Sequence, residues 1–494
     1  MSKLKLQLID FIFIALLVIY GVMNAVIITP EGYFRAGTKF DWPDETAAAF
    51  LTAQVAEHTS LSASEPLNAA AHGLIHPRSL NVLGEKLVPA SFFGLPVLYG
   101  LLAKITGLEA VLYFTLIFFC LALYALYDIL KRFGSPRWAF CSVLLVMAHP
   151  GLWYYALHSY LPNVLFLSLL ILSAWLLVAK KNIWAGLVFG LALLVRLSEL
   201  YWLGFLILGF MHLGRRQLSR RLILFFMAPV AALALFLLVV NHNVYGAWFN
   251  TGYGGLDGLV KNNASWLGLF FPFGLHLSWA WQNIMKYIYQ LSPWYVWLAS
   301  GGVGLLFWQK RQTWRIWWPA IIAILVAFVY LLVFYGSWVF VDSAIYRMAD
   351  LGISYIRYWL PIYILLALLA GYFLAELSER LGRRGEIFAL AATIMVAVLF
   401  YDSSDIVFVK YEDSFLKVKS RRETYQAINN MARKLLPPSA IIISSRSDKI
   451  FFPEFRVITL SDKPTSNSPE WPYLQILSKD HPLYYYNGER LEKL

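Results

Sequence analysis

The sequence is poor in cysteine and in charged residues, and each shortage excludes a class of protein. Cys120 and Cys141 are its only cysteines, and both fall within apolar runs, so we expect neither a disulfide framework nor a thiolate metal site. Only 14% of the 494 residues are charged, against roughly 25% in soluble domains. With 59% hydrophobic residues and a mean hydropathy of +0.60, the chain is not a soluble protein.

Long apolar runs recur along the chain instead. Residues 9–28, 110–130, 222–240 and 358–374 are examples, close to the roughly 20 residues with which a helix crosses a bilayer. They lack the period-two alternation of a membrane β-barrel, whereas a helix satisfies its own backbone hydrogen bonds in lipid. The first run exceeds the roughly 7–15 apolar residues of a secretory signal, so we expect it to remain as a span. In total the runs predict about eleven transmembrane helices.

Basic residues cluster at alternate junctions between the runs, which predicts the orientation of the chain. The formal net charge is +12, but the clusters are short and form no single basic face, so we expect no nucleic-acid partner. Because positive residues gather on the cytoplasmic side of membranes, the N-terminus is predicted inside and the C-terminus outside. The basic clusters are Lys3 with Lys5, Lys131–Arg132 with Arg137, Lys180–Lys181, Arg215–Arg216 with Arg220–Arg221, Lys310–Arg311 with Arg315, and Arg380 with Arg383–Arg384.

Two regions outside the spans are predicted to be structured. The long loop 30–109 contains helical patterns near residues 46–57 and 89–105, which we expect at the membrane surface. Residues 403–494 are mixed and polar, with a predicted helix near 421–435 and predicted strands at 440–445 and 455–460. The expected domains are therefore a transmembrane domain, 1–402, that includes the loop, and a small extracytoplasmic α/β domain, 403–494.

One junction between spans admits two interpretations. Residues 182–214 are interpreted as two short spans that meet in a tight turn near Arg196 to Glu199. One long tilted helix is the alternative.

A cluster of acids follows the first span, in the segment Phe40-Asp41-Trp42-Pro43-Asp44-Glu45-Thr46. Pro43 favours a helix start, so Asp44 and Glu45 would occupy the first turn, where the helix dipole favours carboxylates. Asp41 precedes this helix start, so its backbone is less constrained than that of Asp44. A helix cap with a solvated neighbour is one reading. The functional reading is a catalytic site at the boundary of water and lipid, where a lipid-linked substrate presents its head group.

Four cations are candidates for binding a phosphate on the same face of the membrane. They are Arg78, Lys86, Arg196 and Arg357. Anchoring to lipid head groups explains each of them without function. Further polar residues predicted there are His149, His158, Asn163, Glu199, Asp342, Arg347 and Asp350. No pair of histidines has metal-ligand spacing, so we expect structural or hydrogen-bonding roles for them.

These features together resemble a known family. The early acidic pair, the Lys86 segment that runs into an apolar Pro-rich stretch, the span 186–196 and Arg357-Tyr-Trp-Leu-Pro resemble GT-C-fold glycosyltransferases. The nearest group is that of the protein O-mannosyltransferases and lipid A aminoarabinose transferases. The resemblance lies in the order of the motifs over residues 1 to about 400. The sequence departs from the family at Lys86-Leu87, where aminoarabinose transferases have Lys-Pro, and at Pro162-Asn163, which replaces an acidic residue often found in the second outer loop.

The resemblance implies an all-α polytopic GT-C-like fold and an inverting transferase. The enzyme would move a sugar from a polyprenyl-phosphate carrier to a protein, lipid or glycan hydroxyl on the extracytoplasmic face. It implies that Asp44 is the catalytic base, with Glu45 and Asp41 beside it, and that Lys86 contacts the phosphate. A divalent cation is left open, since the acids alone offer too few ligands.

Three other functions stay open on the sequence alone. A secondary transporter would also be polytopic, but it needs inverted repeats and charges near the middle of the membrane. A polysaccharide polymerase or ligase would act on a related substrate but would have a different fold. An inactive assembly scaffold leaves the acidic cluster unexplained. No nucleotide-binding glycine loop is present, and Gly301, Gly302 and Gly304 lie inside a span, where we expect them to serve helix packing.

Overall fold

The computed structural model describes residues 3–29, 38–214, 219–252, 270–309, 314–340, 350–381 and 385–494. The basic clusters at 215–216, 310–311 and 383–384 lie outside these ranges. In chain order the helices are α1 (Lys3–Ile28), α2 (Pro43–His58), α3 (Gly94–Thr106), α4 (Val111–Phe133), α5 (Pro136–Ala148), α6 (Pro150–Ala156), α7 (Pro162–Val178), α8 (Asn182–Val195), α9 (Leu200–Gly214), α10 (Arg220–Tyr245), α11 (Leu277–Ile284), α12 (Pro293–Gln309), α13 (Trp314–Gly336), α14 (Ser354–Tyr358), α15 (Leu360–Arg380), α16 (Gly385–Asp405), α17 (Phe415–Leu435), α18 (Asp448–Phe451) and α19 (Trp471–Leu477). The strands are β1 (Ala63–Ser64), β2 (Leu80–Leu83), β3 (Lys86–Pro89), β4 (Ile441–Ser444), β5 (Arg456–Thr459), β6 (Leu483–Tyr486) and β7 (Leu491–Lys493).

Each predicted apolar span is a helix, so the predicted fold class of a polytopic helical chain is confirmed. Six helices in the described ranges are long and apolar enough to cross a membrane, or eight if each of two bent pairs counts as one span. Two further apolar helices in these ranges are shorter, α3 with 13 residues and α7 with 17.

Two pairs of apolar helices are sharply bent. The angle between α5 and α6 is 66°, at His149-Pro150, where proline cannot continue the helix. The angle between α8 and α9 is 108°, and a short 3₁₀ turn, Leu197–Glu199, joins them. The predicted turn near Arg196 is thus confirmed, and the alternative of one long helix is wrong.

Close approach of helices is permitted by glycine. A Cβ atom at Gly302 of α12 would lie 2.2 Å from the carbonyl oxygen of Leu369 in α15, which no side chain tolerates. A Cβ at Gly371 of α15 would lie 2.5 Å from the Cα of Ser142 in α5. Small residues at helix contacts let backbones pack closely in membranes. The helix-packing role predicted for Gly302 is confirmed. The same prediction for Gly304 is wrong, because no described atom beyond its own helix lies within 4 Å of a Cβ placed there.

The described part of the long loop, 38–109, contains two helices and a small sheet. Helix α2 begins at Pro43, with Asp44 and Glu45 in its first turn, and α3 is the second predicted helix. The sheet has the antiparallel order β1–β3–β2 and was not predicted. Its hairpin turns at Gly84, whose φ of +60° suits glycine.

The C-terminal residues form the predicted small α/β unit. Helix α17 and the strands β4 and β5 match the predicted elements. The sheet order is β5–β4–β6–β7, in which β4, β5 and β6 are parallel and β7 is antiparallel. Ile441 and Ile443 pack on one face of β4, and Ile442 packs on the other.

This C-terminal sheet shares its hydrophobic cores with loop 38–109. Ala47 and Leu51 of α2 pack in one cluster with Phe451 and Val457. Ile75 forms a β-bridge with Ile458. The predicted division between residues 402 and 403 falls inside α16, which ends at Asp405, and the two-domain division stays a prediction.

Candidate active site

A cleft lies between α2, α3 and the ends of α7, α8 and α14. Apolar side chains form much of it, and Asp44, Arg196 and Arg357 are its charged lining among the described residues. Its lining residues are Asp44, Ala47, Ala48, Leu51, Ser79, Ser91, Phe92, Leu95, Pro96, Tyr160, Pro162, Asn163, Val195, Arg196, Arg357 and Tyr358. Such a mixture of apolar walls and a few convergent polar groups is typical of ligand sites.

Asp44 is the one acid of the cluster that faces this cleft. Its side chain is 48% exposed at the start of α2. Ser79 Oγ donates a hydrogen bond of 2.7 Å to one carboxylate oxygen, and Arg357 Nη1 donates one of 3.0 Å to the other. The carboxylate is therefore oriented from two sides and still reaches solvent.

Three groups among the described residues hold Arg357 of α14 in place. Besides Asp44, its guanidinium donates a 3.2 Å hydrogen bond to Ser354 Oγ and stands 5.2 Å from the ring centre of Tyr358. Its side chain is 14% exposed. An arginine at the wall of a cleft presents planar donors that suit a phosphate.

Arg196 belongs to a buried ion pair at the break between α8 and α9. Its Nη2 lies 2.6 Å from Glu199 Oε1 and donates a 3.1 Å hydrogen bond to the Tyr335 hydroxyl. The same hydroxyl donates to Glu199 over 2.9 Å. The guanidinium also stands 4.8 Å from the ring centre of Tyr358. Tyr358 thus lies beside both cleft arginines, and the charge of Arg196 is balanced by Glu199.

Asp41 points away from the cleft, toward the C-terminal residues. Arg421 Nη2 of α17 lies 2.6 Å from its carboxylate, and Lys449 Nζ lies 3.4 Å from it. Burial would raise the pKa of Asp41, but the charges of Lys449 and Arg421 outweigh it and hold that pKa below its usual range. Asp41 is ionised and paired, so a structural role explains its contacts.

Glu45 is almost completely buried in a second pair. Arg422 Nη2 donates a 2.8 Å hydrogen bond to Oε2, and His158 Nδ1 lies 3.1 Å from Oε1. Burial would raise the pKa of Glu45, but Arg422 and His158 hold it below its usual range. Burial also lowers the pKa of His158. His158 has the hydrogen-bonding role that the sequence predicted.

Arg421 links Asp41 to two further acids. Its Nη2 lies 2.6 Å from Asp413, whose backbone N–H donates a 3.1 Å hydrogen bond to Asp350. Burial, together with the negative charge of Asp350, raises the pKa of Asp413 to about 6. Burial raises the pKa of Asp350 as well. A Cβ at Gly352 would lie 2.2 Å from an Asp413 carboxylate oxygen, so only glycine permits this approach.

The other two predicted cations lie elsewhere. Lys86 is exposed at the start of β3 and is not among the described residues that line the cleft. Arg78 contacts the C-terminal unit, where its Nη2 lies 2.7 Å from the buried Asp448. Asp342 and Arg347 lie outside the described residues.

Sequence reasoning missed the basic residues of the C-terminal unit that contact the acids. Arg421 and Arg422 are adjacent in α17, and Lys449 is in α18. The available signal was charge complementarity, since the run Lys417 to Arg422 is basic and the segment 41–45 is acidic. Ser79 carried no comparable signal.

A cation site is not formed by the described residues. In those ranges, no group of three or more His, Cys, Asp or Glu side chains is placed to hold a metal ion. Asp41 and Glu45 are already bound by basic side chains. A role for a divalent cation stays a prediction.

Comparisons with known proteins found no matching family model and no matching curated protein. Among solved structures, the chain is similar to one titled "Crystal Structure of ArnT from Cupriavidus metallidurans in the apo state". That similarity has a TM-score of 0.48 at 12% sequence identity, and it covers 96% of this chain and 92% of that chain.

Proposed function

We propose that this protein is a membrane glycosyltransferase of the GT-C type, with a polyprenyl-phosphate-linked sugar as donor and a hydroxyl group as acceptor. The observation that carries the proposal is the pairing of Asp44 with Arg357 at 3.0 Å in the wall of a partly apolar cleft. A base and a phosphate-binding cation are the two groups that this reaction needs from the protein.

The residues of the cleft suit each part of such a donor. Leu51, Phe92, Leu95, Pro96 and Val195 offer apolar surface to the start of the lipid chain. Arg357 can bind the phosphate oxygens. Because the Arg196–Glu199 pair is buried, whereas the Arg357–Asp44 pair reaches solvent in the cleft, we assign the direct phosphate contact to Arg357 and a supporting electrostatic role to Arg196.

The proposed reaction is a single displacement. The acceptor oxygen forms a bond to the anomeric carbon, and the bond from that carbon to the phosphate oxygen breaks, with its electron pair leaving on the phosphate. Asp44 takes the proton of the acceptor hydroxyl, and the anomeric configuration inverts.

The test is sugar transfer by purified protein in nanodiscs, with Asp44→Asn compared to wild type at equal folded protein. We expect a loss of about 10²-fold or more in kcat, which is typical of general-base removal. Glu57→Gln, an exposed acid near the other end of α2, is the matched control and should retain activity. A fully active Asp44→Asn enzyme would exclude Asp44 as the base.

The donor is identified in cells. A strain without the gene should accumulate the lipid-linked sugar that the enzyme normally consumes, and analysis of the lipid fraction would name the sugar. Unchanged lipid-linked sugars in that strain, together with no transfer in nanodiscs, would refute the proposal.

A secondary transporter is the second candidate, favoured by the bend at the buried Arg196–Glu199 pair, since broken helices with buried charges also build transport sites. Uptake of a radiolabelled sugar into proteoliposomes, with no product transfer, would favour it instead.

A further inference from the structure

Two buried polar side chains of the cleft have no hydrogen-bond partner among the described residues. They are the amide of Asn163 and the hydroxyl of Tyr160, in residues that are 4% and 7% exposed. Neither group is among the described polar atoms that are fully enclosed without a partner, so both are open to the cleft. Since both residues line the cleft, a molecule bound there would supply the missing partners.

The backbone and the neighbouring rings fix both groups in place. Asn163 is the second residue of α7 and follows Pro162, which fixes the first helical turn. The ring of Tyr160 packs edge-on against Phe40, with centroids 5.0 Å apart. Burial raises the pKa of Tyr160, so its hydroxyl stays protonated and can donate. The cleft thus presents one neutral amide and one neutral hydroxyl in defined positions.

The charges of the cleft disfavour a positively charged sugar. An ammonium group needs a carboxylate that is free to pair with it. In the described lining the only acid is Asp44, which already accepts from Arg357 and Ser79. Arg196 is balanced by Glu199 and Arg357 by Asp44, so the described lining offers no surplus negative charge to an ammonium group. Amides and hydroxyls, in contrast, both donate to and accept from sugar hydroxyls.

We propose that Asn163 and Tyr160 determine donor specificity by binding hydroxyl groups of an uncharged sugar, so that the enzyme selects neutral sugars over amino sugars. This inference rests on the proposed function. It assigns the two residues to the sugar and not to the phosphate or the lipid chain.

The experiment measures binding to purified protein in nanodiscs near pH 7 with three probes that share one lipid chain. They are bare polyprenyl phosphate, the same lipid carrying a neutral hexose, and the same lipid carrying that hexose with one hydroxyl replaced by an amino group. We expect wild type to bind the neutral donor about tenfold more tightly than the amino donor, the effect of roughly one hydrogen bond and one unpaired charge.

Substitutions distinguish binding of the sugar from binding of the lipid carrier. Asn163→Leu should weaken the neutral donor about tenfold while the Kd of bare polyprenyl phosphate stays within about twofold. Tyr160→Phe is a milder second variant and should weaken the neutral donor about threefold or more. Asn163→Asp should shift preference toward the amino donor. Asn241→Leu replaces another buried asparagine, 2% exposed and outside the described lining, and should bind all three probes like wild type.

Wild type that prefers the amino donor would overturn this inference while leaving the proposed function intact. The inference would also be overturned if Asn163→Leu and Tyr160→Phe bind the neutral donor as tightly as wild type does. A third contrary result is that these variants weaken binding of bare polyprenyl phosphate as much as binding of the neutral donor. If wild type binds none of the three probes, the proposed function fails, and this inference fails with it.

Discussion

Arg422 of the C-terminal helix donates a 2.8 Å hydrogen bond to Glu45, although 377 residues separate them in the chain. Glu45 is the immediate neighbour of Asp44. Arg421, next to Arg422, pairs in the same way with Asp41 on the other side of Asp44. Two adjacent arginines of α17 therefore hold the start of α2 on both sides of the proposed base.

We expect removal of either partner of the Glu45–Arg422 pair to lower stability strongly. Glu45→Gln or Arg422→Gln leaves the other charge buried, which typically costs about 3–5 kcal/mol. The double variant should lose clearly less than the sum of the single variants. The measurement is the thermal unfolding midpoint in detergent.

The control for this cycle is the exposed pair Lys417–Glu412 at the start of the same helix, with atoms 3.0 Å apart. Exposed pairs contribute about 0–1 kcal/mol, so Lys417→Gln should leave the midpoint nearly unchanged. Strictly additive effects of Glu45→Gln and Arg422→Gln would show that the two side chains are not coupled.

Three of the four candidate phosphate ligands, Arg357, Arg196 and Lys86, should respond differently to substitution by glutamine. Arg357→Gln should raise the KM for the lipid-linked donor, by the roughly 1.5–3 kcal/mol of a charged hydrogen bond. Arg196→Gln should chiefly lower the unfolding midpoint, because the buried Glu199 carboxylate loses its counter-ion. Lys86→Gln, at an exposed position outside the cleft, should have the smallest effect on KM. If Lys86→Gln raised KM more than Arg357→Gln did, the phosphate contact would have to be assigned to the β2–β3 hairpin.

Asp413 should make stability depend on pH in a defined direction. Its pKa is raised to about 6 by burial and Asp350, against an ordinary value of 3.8, so the folded state binds this proton more tightly than the unfolded chain. Wild type should therefore gain stability relative to Asp413→Asn as pH falls from about 7 to about 4, and lose that gain as pH rises through 6. At about 1.4 kcal/mol per pKa unit, the full gain is up to about 3 kcal/mol.

The difference in stability between wild type and Asp413→Asn isolates the titration of Asp413 from that of its neighbours. Asp41 and Glu45 have lowered pKa values, so their stabilisation is lost only at more acidic pH. Burial lowers the pKa of His158, so this residue reduces stability as pH falls through part of the same range. Both proteins contain His158, so its effect cancels in the difference between them. Unfolding midpoints of both proteins from pH 4.5 to 8 provide the test, and parallel curves would contradict the assignment.

The topology predicted from the basic clusters places the C-terminus outside. A fluorescent protein that folds only in the cytoplasm should be dark when fused after Leu494. A truncated fusion after Lys181, at a junction predicted inside, is the positive control and should be fluorescent. A fluorescent fusion after Leu494 would reverse the orientation of the C-terminal unit.

The sequence by itself determined the helices of this protein. Apolar runs of membrane-spanning length must form helices in lipid, because only a helix satisfies its backbone hydrogen bonds locally. Local chemistry also located the bend at Arg196 and the start of α2 at Pro43. The glycine contacts of α12 were predictable for the same reason, since small residues inside a span favour close packing.

Only the tertiary structure decided the roles of the three acids. Asp41, Asp44 and Glu45 are nearly equivalent in sequence, yet Asp44 alone faces the cleft, while the other two pair with Arg421 and Arg422. Successive residues of a helix point about 100° apart, so neighbours at the start of α2 face different surroundings. What lies in each direction depends on residues of α17 and α14 more than 300 positions away, and contacts over such separations are set by packing of the whole chain, not by any local pattern.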